Sequence, residues 1–334
     1  MSRKSRSYFD NAETLRQDLK DFFDREELRT LHKREPAKHF AFVAWQFFLL
    51  FGAGTVLYNV SNPLIWIPVA VVMGFTMFNF TVLLHEQVHR LIFNGRYKKT
   101  MRFLGLLYAF PSGISATQFK IWHTDHHENL GDEEEDPKRY HLSPKRVERW
   151  YKALYCTPAL FPIYFRAARK ETATYDEETQ KTIAKERTFT IGGHLVIAAI
   201  LWWAGGWETM VRVWAFPYFF IFPIAFTLNR LGQHYFINPE DPANWGTRVD
   251  GNWFWRLAFL NSNHHLEHHY FQSVPLYNLP ELNRRLHPFF EQRGIRNFGY
   301  GEMLYGWFVK NHKPHTQYDA EAPISAQPHM EKGA

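Results

Sequence analysis

Four stretches of the chain, His39–Val60, Asn62–Leu84, Phe189–Trp207 and Val213–Leu228, contain no Asp, Glu, Lys or Arg, although the 334 residues hold 39 Lys+Arg and 33 Asp+Glu. At a helical rise of about 1.5 Å per residue, the first two are long enough to cross a hydrocarbon layer of roughly 30 Å. The fourth is shorter. It reaches the required length when its helix begins near Thr209, with Arg212 snorkelling to the headgroups. Trp and Tyr near the ends of these runs suit a membrane interface better than a soluble core. The pattern predicts an all-α, polytopic membrane protein with about four transmembrane helices in two hairpins, at about residues 39–60, 62–84, 189–207 and 209–228.

The polar residues set the sidedness. Residues 1–38 are charged throughout and lack the apolar stretch of a cleavable signal peptide, so they are expected to stay as a cytosolic N-terminal segment. Lys33, Arg34 and Lys38 precede the first span, and Arg90, Arg96, Lys98, Lys99 and Arg102 follow the second, while the turn between carries no charge. Positive flanks stay inside, which places both hairpin bases and both termini in the cytoplasm. Residues 103–119 are also uncharged but hold Pro111 and Gly113, and are expected to be interfacial or re-entrant. Residues 150–165, interrupted by Pro158 and Pro162, are read the same way. An integral-membrane domain is therefore expected over 39–311, with a cytosolic helical cap at 85–188 and 229–311, followed by a polar tail at 312–334.

Composition narrows the chemistry. Aromatic residues make up 18% of the chain and hydrophobic residues 46%, which excludes a disordered or fibrous protein. One cysteine, Cys156, excludes an intrachain disulfide framework and any multi-thiolate metal site. Of 18 histidines, ten are clustered, at His85, His89, His123, His126, His127, His234, His264, His265, His268 and His269. On a helix, residues three and four apart share a face, so His85 with His89, His123 with His126 and His127, and His265 with His268 and His269 each project imidazoles to one side. That gives eight imidazoles in three facial groups, more than one four-coordinate ion requires. Two metal ions are the economical explanation. With nitrogen and oxygen donors and no thiolates, the redox metal expected is iron with open positions for dioxygen. In the predicted topology all three groups lie at one membrane face, provided that residues 103–119 do not span.

The three groups read HEQVH at His85–His89, HTDHH at His123–His127 and HLEHH at His265–His269. In this order and spacing they resemble the histidine boxes of the membrane fatty acid desaturase and hydroxylase superfamily. The similarity extends over about residues 40–290 and includes HHYFQSVPLYNLPEL after the last box. It implies a dinuclear iron centre in a cytosolic cap over four helical spans, held by the eight box histidines, with His234 as a further ligand. The chain departs from the pattern at Arg230, where acyl-CoA desaturases have an asparagine that binds metal through water; Asn229 stands one position earlier. Gln272 replaces the proline of HHxFP-type relatives, and His264 is extra, expected to pack or hydrogen-bond. No catalytic group is expected beyond the metal centre itself. Metal-bound imidazoles donate their other N–H to an acceptor, and Asp136, Glu86 and Glu267 are the candidates. Asp136 is foremost because, in the EEEDP run after the second box, it resembles an acidic residue at a similar offset in sphingolipid-type relatives.

The activity implied is oxygen-dependent desaturation of a fatty acyl chain, with dioxygen as co-substrate. Hydroxylation or ketolation of a lipid or carotenoid at the same diiron site is the alternative. HEQVH also reads as HExxH, the motif of zinc metalloproteases with Glu86 as general base, but that reading leaves seven clustered histidines unused. A metal transporter needs ionisable groups inside the spans, where His194 stands alone. Without a haem, flavin or iron–sulfur motif, electrons must come from an external donor, a ferredoxin or b5-type cytochrome. The partners expected are an acyl lipid, the bilayer and that donor, with no nucleic acid. A bacterial inner membrane is preferred to the endoplasmic reticulum as the location.

Overall fold

The computed structural model describes residues 12–130, 132, 135–138, 143–237 and 241–312. The first part of the expected N-terminal segment and the expected tail beyond His312 lie outside the described residues. The helices, in order, are α1 (Glu13–Phe22), α2 (Arg25–Leu31), α3 (Pro36–Asn59), α4 (Pro63–Val88), α5 (Lys98–Ser112), α6 (Ala116–Glu128), α7 (Arg149–Leu154), α8 (Leu160–Thr172), α9 (Glu177–Met210), α10 (Phe222–His234), α11 (Trp253–Ala258), α12 (His265–Tyr270), α13 (Leu279–Gln292) and α14 (Tyr300–Leu304). Among the described residues there is no strand, only an isolated bridge between Arg248 and Asn297.

Three helical runs are long and apolar enough to cross a membrane: Arg25–Asn59, Pro63–Val88 and Glu177–His234. The first two are set by local signals. α3 and α4 both open on a proline, whose missing N–H costs nothing at a first helical position, and the Asn62 side chain caps α4 by accepting from Leu64 N at 3.0 Å.

The third run, at 58 residues, is too long for one crossing. Gly206 divides it, at φ 76 and ψ 174, outside the helical region and suited to glycine. The stroke before Gly206 ends beside α3, where Tyr58 Oη donates to the Ala204 carbonyl at 3.0 Å. The stroke after it follows α4 in the same direction. Trp66 meets Phe216 with ring centroids 5.3 Å apart, and further on Phe78 meets Phe222 at 6.1 Å. Between these contacts a Cβ at Gly74 would lie 2.5 Å from Ile221, so glycine permits the approach. Two π-helical turns, Val211–Ala215 and Pro217–Ile221, accommodate Pro217 within this stroke.

Residues 103–119 are not among the candidate spans. α5 ends at Gly113, left-handed at φ 75, and α6 begins three residues later. α5 is tied to the ends of α3 and α4 that lie next to His85: Gln87 Nε2 donates to the Met101 carbonyl at 2.8 Å, and His39 Nε2 lies 3.0 Å from Tyr108 Oη. Beneath the turn into α6, buried Glu186 of α9 accepts from Ser115 Oγ at 2.6 Å and Thr117 N at 2.9 Å and pairs with Arg102.

The chain divides into two compact units. One, Arg34–Ile121 with Ala153–Thr227, contains the apolar strokes just described and is called the membrane unit here. The other is built from Met1–Lys33, Trp122–Lys152 and Leu228–Ala334. In it, α1 and α2 pack on α13 and the turn before it: Phe22 meets Phe289 at 5.5 Å, Phe23 meets Phe271 at 5.3 Å, and Asn278 Nδ2 donates to the Leu31 carbonyl at 2.8 Å.

Candidate metal centre

Helical periodicity delivers the box imidazoles as the spacing requires. His85 and His89 lie on one face at the end of α4, with ring centroids 4.6 Å apart, within the membrane unit. Arg90 follows at φ 58 and ends the helix. In the other unit, α6 carries His123, His126 and His127, α10 ends on His234, and α12 carries His265, His268 and His269.

These seven histidines form two groups. His126, His234, His265 and His269 each offer one ring nitrogen, all within 4.8 Å of one another, and all four residues are buried. His265 Nε2 is 3.1 Å from His234 Nε2 and 3.0 Å from His269 Nε2. In the second group His127 Nε2 is 2.9 Å from His123 Nε2 and 3.2 Å from His268 Nε2. Nitrogens bound at about 2.1 Å to one ion and separated by right angles lie about 3 Å apart, the spacing found.

Hydrogen bonding alone does not account for this convergence. His126 donates Nδ1–H to Asp136 Oδ1 at 2.8 Å, and His234 donates Nδ1–H to the Trp245 carbonyl at 2.8 Å. A neutral imidazole has one N–H, so the inward Nε2 of both rings is a bare lone pair. His126 Nε2 is buried with no hydrogen-bond partner. An orphaned buried acceptor costs about 1–3 kcal/mol, and a cation held by the group removes that cost.

The electrostatics select the ligand form. Burial holds His126, His234, His265 and His269 well below the ordinary histidine value of 6.5. The charge of Lys138 acts second at His126 and His234, and neighbouring imidazoles act second at His265 and His269. Burial, followed by the Arg230 charge, brings Lys138 itself down to about 7. Neutral imidazole is the state that binds metal. The donor set of buried nitrogens without thiolates fits a first-row ion such as iron.

The expected acceptors take different positions. Asp136 is buried on His126 and also accepts from the Lys138 backbone N at 2.9 Å. Glu267 is fully buried, accepts from Asn283 Nδ2 and lies 3.8 Å from His264 Nδ1. Glu86 is buried within α4. His264 is buried with neither ring nitrogen hydrogen-bonded, so it packs. Asn229 is engaged by Ser262 at 2.9 Å and Gln233 at 2.7 Å, while Arg230 donates to the Lys138 carbonyl at 3.3 Å.

Sequence reasoning missed three participants. The Trp245 carbonyl is a backbone group and has no sequence signature. Lys138 reads as one more loop charge. Asn283 follows Glu267 by sixteen residues, on a different helix, without a motif linking them.

The sequence model of the family described as Fatty acid desaturase matches residues 61–300. The sphingolipid delta(4)-desaturase/C4-monooxygenase DES2 of Homo sapiens is 26% identical over 225 residues, covering 63% of this chain and 62% of that protein. Its Mus musculus counterpart is 26% identical over 222 residues, with the same coverage. The chain thus matches somewhat less than two thirds of these relatives' length.

Proposed function

The chain belongs to the fatty acid desaturase family, and from that premise we propose that this oxidoreductase is an oxygen-dependent lipid desaturase that introduces a double bond into an acyl chain. The observation that carries the proposal is the convergence of His126, His234, His265 and His269, with the His126 Nε2 lone pair directed inward. These four are assigned to one iron ion. His123, His127 and His268 are assigned to a second, which the box order HxxxH, HxxHH, HxxHH extends to His85 and His89.

Bound iron supplies the reductive activation of dioxygen and the oxidising power needed to break an unactivated C–H bond. The protein's own part is positional. Asp136 and the Trp245 carbonyl fix the tautomers of His126 and His234, so that both rings present Nε2 without rotating. Burial keeps the rings neutral and keeps bulk water from the group, which protects a strong oxidant from side reactions. Glu267, held by Asn283, stiffens α12 at the third box.

Loss of two hydrogens from adjacent carbons gives an alkene, whereas oxygen insertion at the first carbon gives an alcohol. The relatives' name joins desaturase and C4-monooxygenase activities, which favours lipid hydroxylation as the second reading, and a sphingolipid as one substrate class for either. The metalloprotease reading of HEQVH has no support from the family match. We further propose four spans, two of them the strokes on either side of Gly206, with both termini and the metal centre cytoplasmic. A bacterial inner membrane is the proposed location. The proposed electron donor is a ferredoxin or b5-type cytochrome. Lipid mass spectrometry on a host expressing the wild type or His126→Ala tests the activity. New unsaturated or hydroxylated lipids that vanish with the variant support it, and identical lipid profiles reject it.

A further inference from the structure

The membrane unit encloses, besides its helix contacts, an apolar crevice of about 840 Å³ between α3, α4, α5, α9 and the turn at Val213 and Trp214. Along α3 the lining runs from Phe47 to Asn59, about 18 Å at the helical rise. This wall is the half of α3 that ends beside Ala204, and the α5 wall, tied to the other end of α3 through His39, carries the crevice onward. The crevice therefore exceeds the roughly 15 Å depth of one leaflet and is long enough to hold an acyl chain along its length. Gly54 keeps this wall low: a Cβ there would meet only Met73 Cε, at 3.9 Å.

The polar side chains in the lining are already engaged. Thr55 Oγ1 donates to the Phe51 carbonyl at 2.8 Å, Asn59 Nδ2 to the Thr55 carbonyl at 2.8 Å, and Tyr58 Oη to the Ala204 carbonyl at 3.0 Å. Trp214 Nε1–H donates to His194 Nδ1 at 3.0 Å, so the single N–H of neutral His194 is on Nε2, 2.9 Å from the Phe110 carbonyl. The one imidazole among the lining residues is therefore satisfied on both sides. Beyond the exposed Asn59 amide at one end, the lining offers a ligand almost no hydrogen-bonding group, which suits a hydrocarbon chain.

A charge marks where the chain's headgroup belongs. On α5, Lys99, Phe103, Leu106 and Phe110 are spaced four, three and four residues apart and share one face, and the last three line the crevice. Lys99 thus stands one turn beyond the apolar wall, exposed, with Arg96 and Lys98 exposed beside it. Arg102 is held by Glu186 and by Thr117 Oγ1, at 3.0 Å from the latter. We propose that the crevice binds one acyl chain of an anionic phospholipid of the surrounding bilayer, with the phosphate at Lys99.

The test uses the full chain in nanodiscs of phosphatidylcholine doped with a phospholipid carrying a diazirine in its acyl chain. The probe has either a phosphatidylglycerol or a phosphatidylcholine head, and adducts are mapped by peptide mass spectrometry. No turnover is read, so the result does not depend on the proposed oxidation chemistry. Adducts should concentrate on the peptides of α3 and α5 lining the crevice, above those on exposed Leu64 and Ile65. The phosphatidylglycerol probe should be favoured about fivefold at these peptides. Gly54→Phe, or Gly54→Leu if the larger ring impairs folding, should remove the crevice adducts and leave those at Leu64. Lys99→Gln should abolish the headgroup preference while the adducts persist. Crevice labelling no greater than at Leu64, or unchanged by filling at Gly54, overturns the site. A preference that survives Lys99→Gln, or none in the wild type, overturns the headgroup assignment.

Discussion

His126 Nδ1 lies 2.8 Å from Asp136 Oδ1, with both side chains buried, so a carboxylate ten residues downstream sets which nitrogen of His126 faces the histidine group. Asp136→Asn keeps the volume and removes the charge. Loss of such a partner weakens metal binding by about 10–100-fold. Chelator competition on the purified variant should show a weakening of that size, and an unchanged affinity would remove Asp136 from the account.

The two groups should fail together in function. His265→Ala, from the first group, and His123→Ala, from the second, are each expected to lower product formation by at least ~100-fold. His264→Ala should stay within about threefold, because its ring belongs to neither group. Product lipids measured in the same host decide it; an active His123→Ala would show that the second group has no part in the reaction.

The metal-free protein should lose stability on the acid side. Burial depresses the histidine values in the fold below 6.5, so below that pH the unfolded chain binds more protons than the folded one. Stability is then complete above about pH 7.5 and falls as the pH drops through 6.5 toward the depressed folded values, by up to about 1.4 kcal/mol per pH unit for each ring. Urea unfolding of the metal-free protein between about pH 7.5 and 5 measures the slope. A flat or rising profile contradicts neutral buried imidazoles.

Two glycines in the membrane unit should respond in opposite ways. At Gly74 a Cβ would lie 2.5 Å from Ile221 and 2.9 Å from the Pro217 carbonyl, so Gly74→Ala should cost about 1–3 kcal/mol through overpacking. At Gly54 the nearest atom is 3.9 Å away, and Gly54→Ala should stabilise α3 by about 0.5–1 kcal/mol. Thermal unfolding in detergent compares the two, and equal shifts would mean that α4 does not make the close contact described.

Legibility in the sequence followed the range of the interaction. The absence of charge marked α3 and α4 and the helical strokes on either side of Gly206, because apolar length is a local property. It also placed the turn between those strokes near Gly206 to Thr209, where the run is broken, although the choice of Gly206 over its neighbour Gly205 rests on the positive φ that only the structure shows. Box spacing placed the imidazoles on shared helix faces because i, i+3 and i+4 geometry is intrinsic to a helix. The sorting of His126 with His234, and of His123 with His127, was not legible, because it depends on how α6, α10 and α12 approach one another. Asp136 stood out from the acidic run around it only through the family resemblance, whereas the Trp245 carbonyl carries no signature at all, since every residue has one.

The most direct measurement is the iron and zinc content per chain of the purified wild type beside His126→Ala, by elemental mass spectrometry. The account predicts close to two irons and little zinc in the wild type, with iron reduced in the variant. One zinc per chain without iron, or two irons undiminished by His126→Ala, would contradict it.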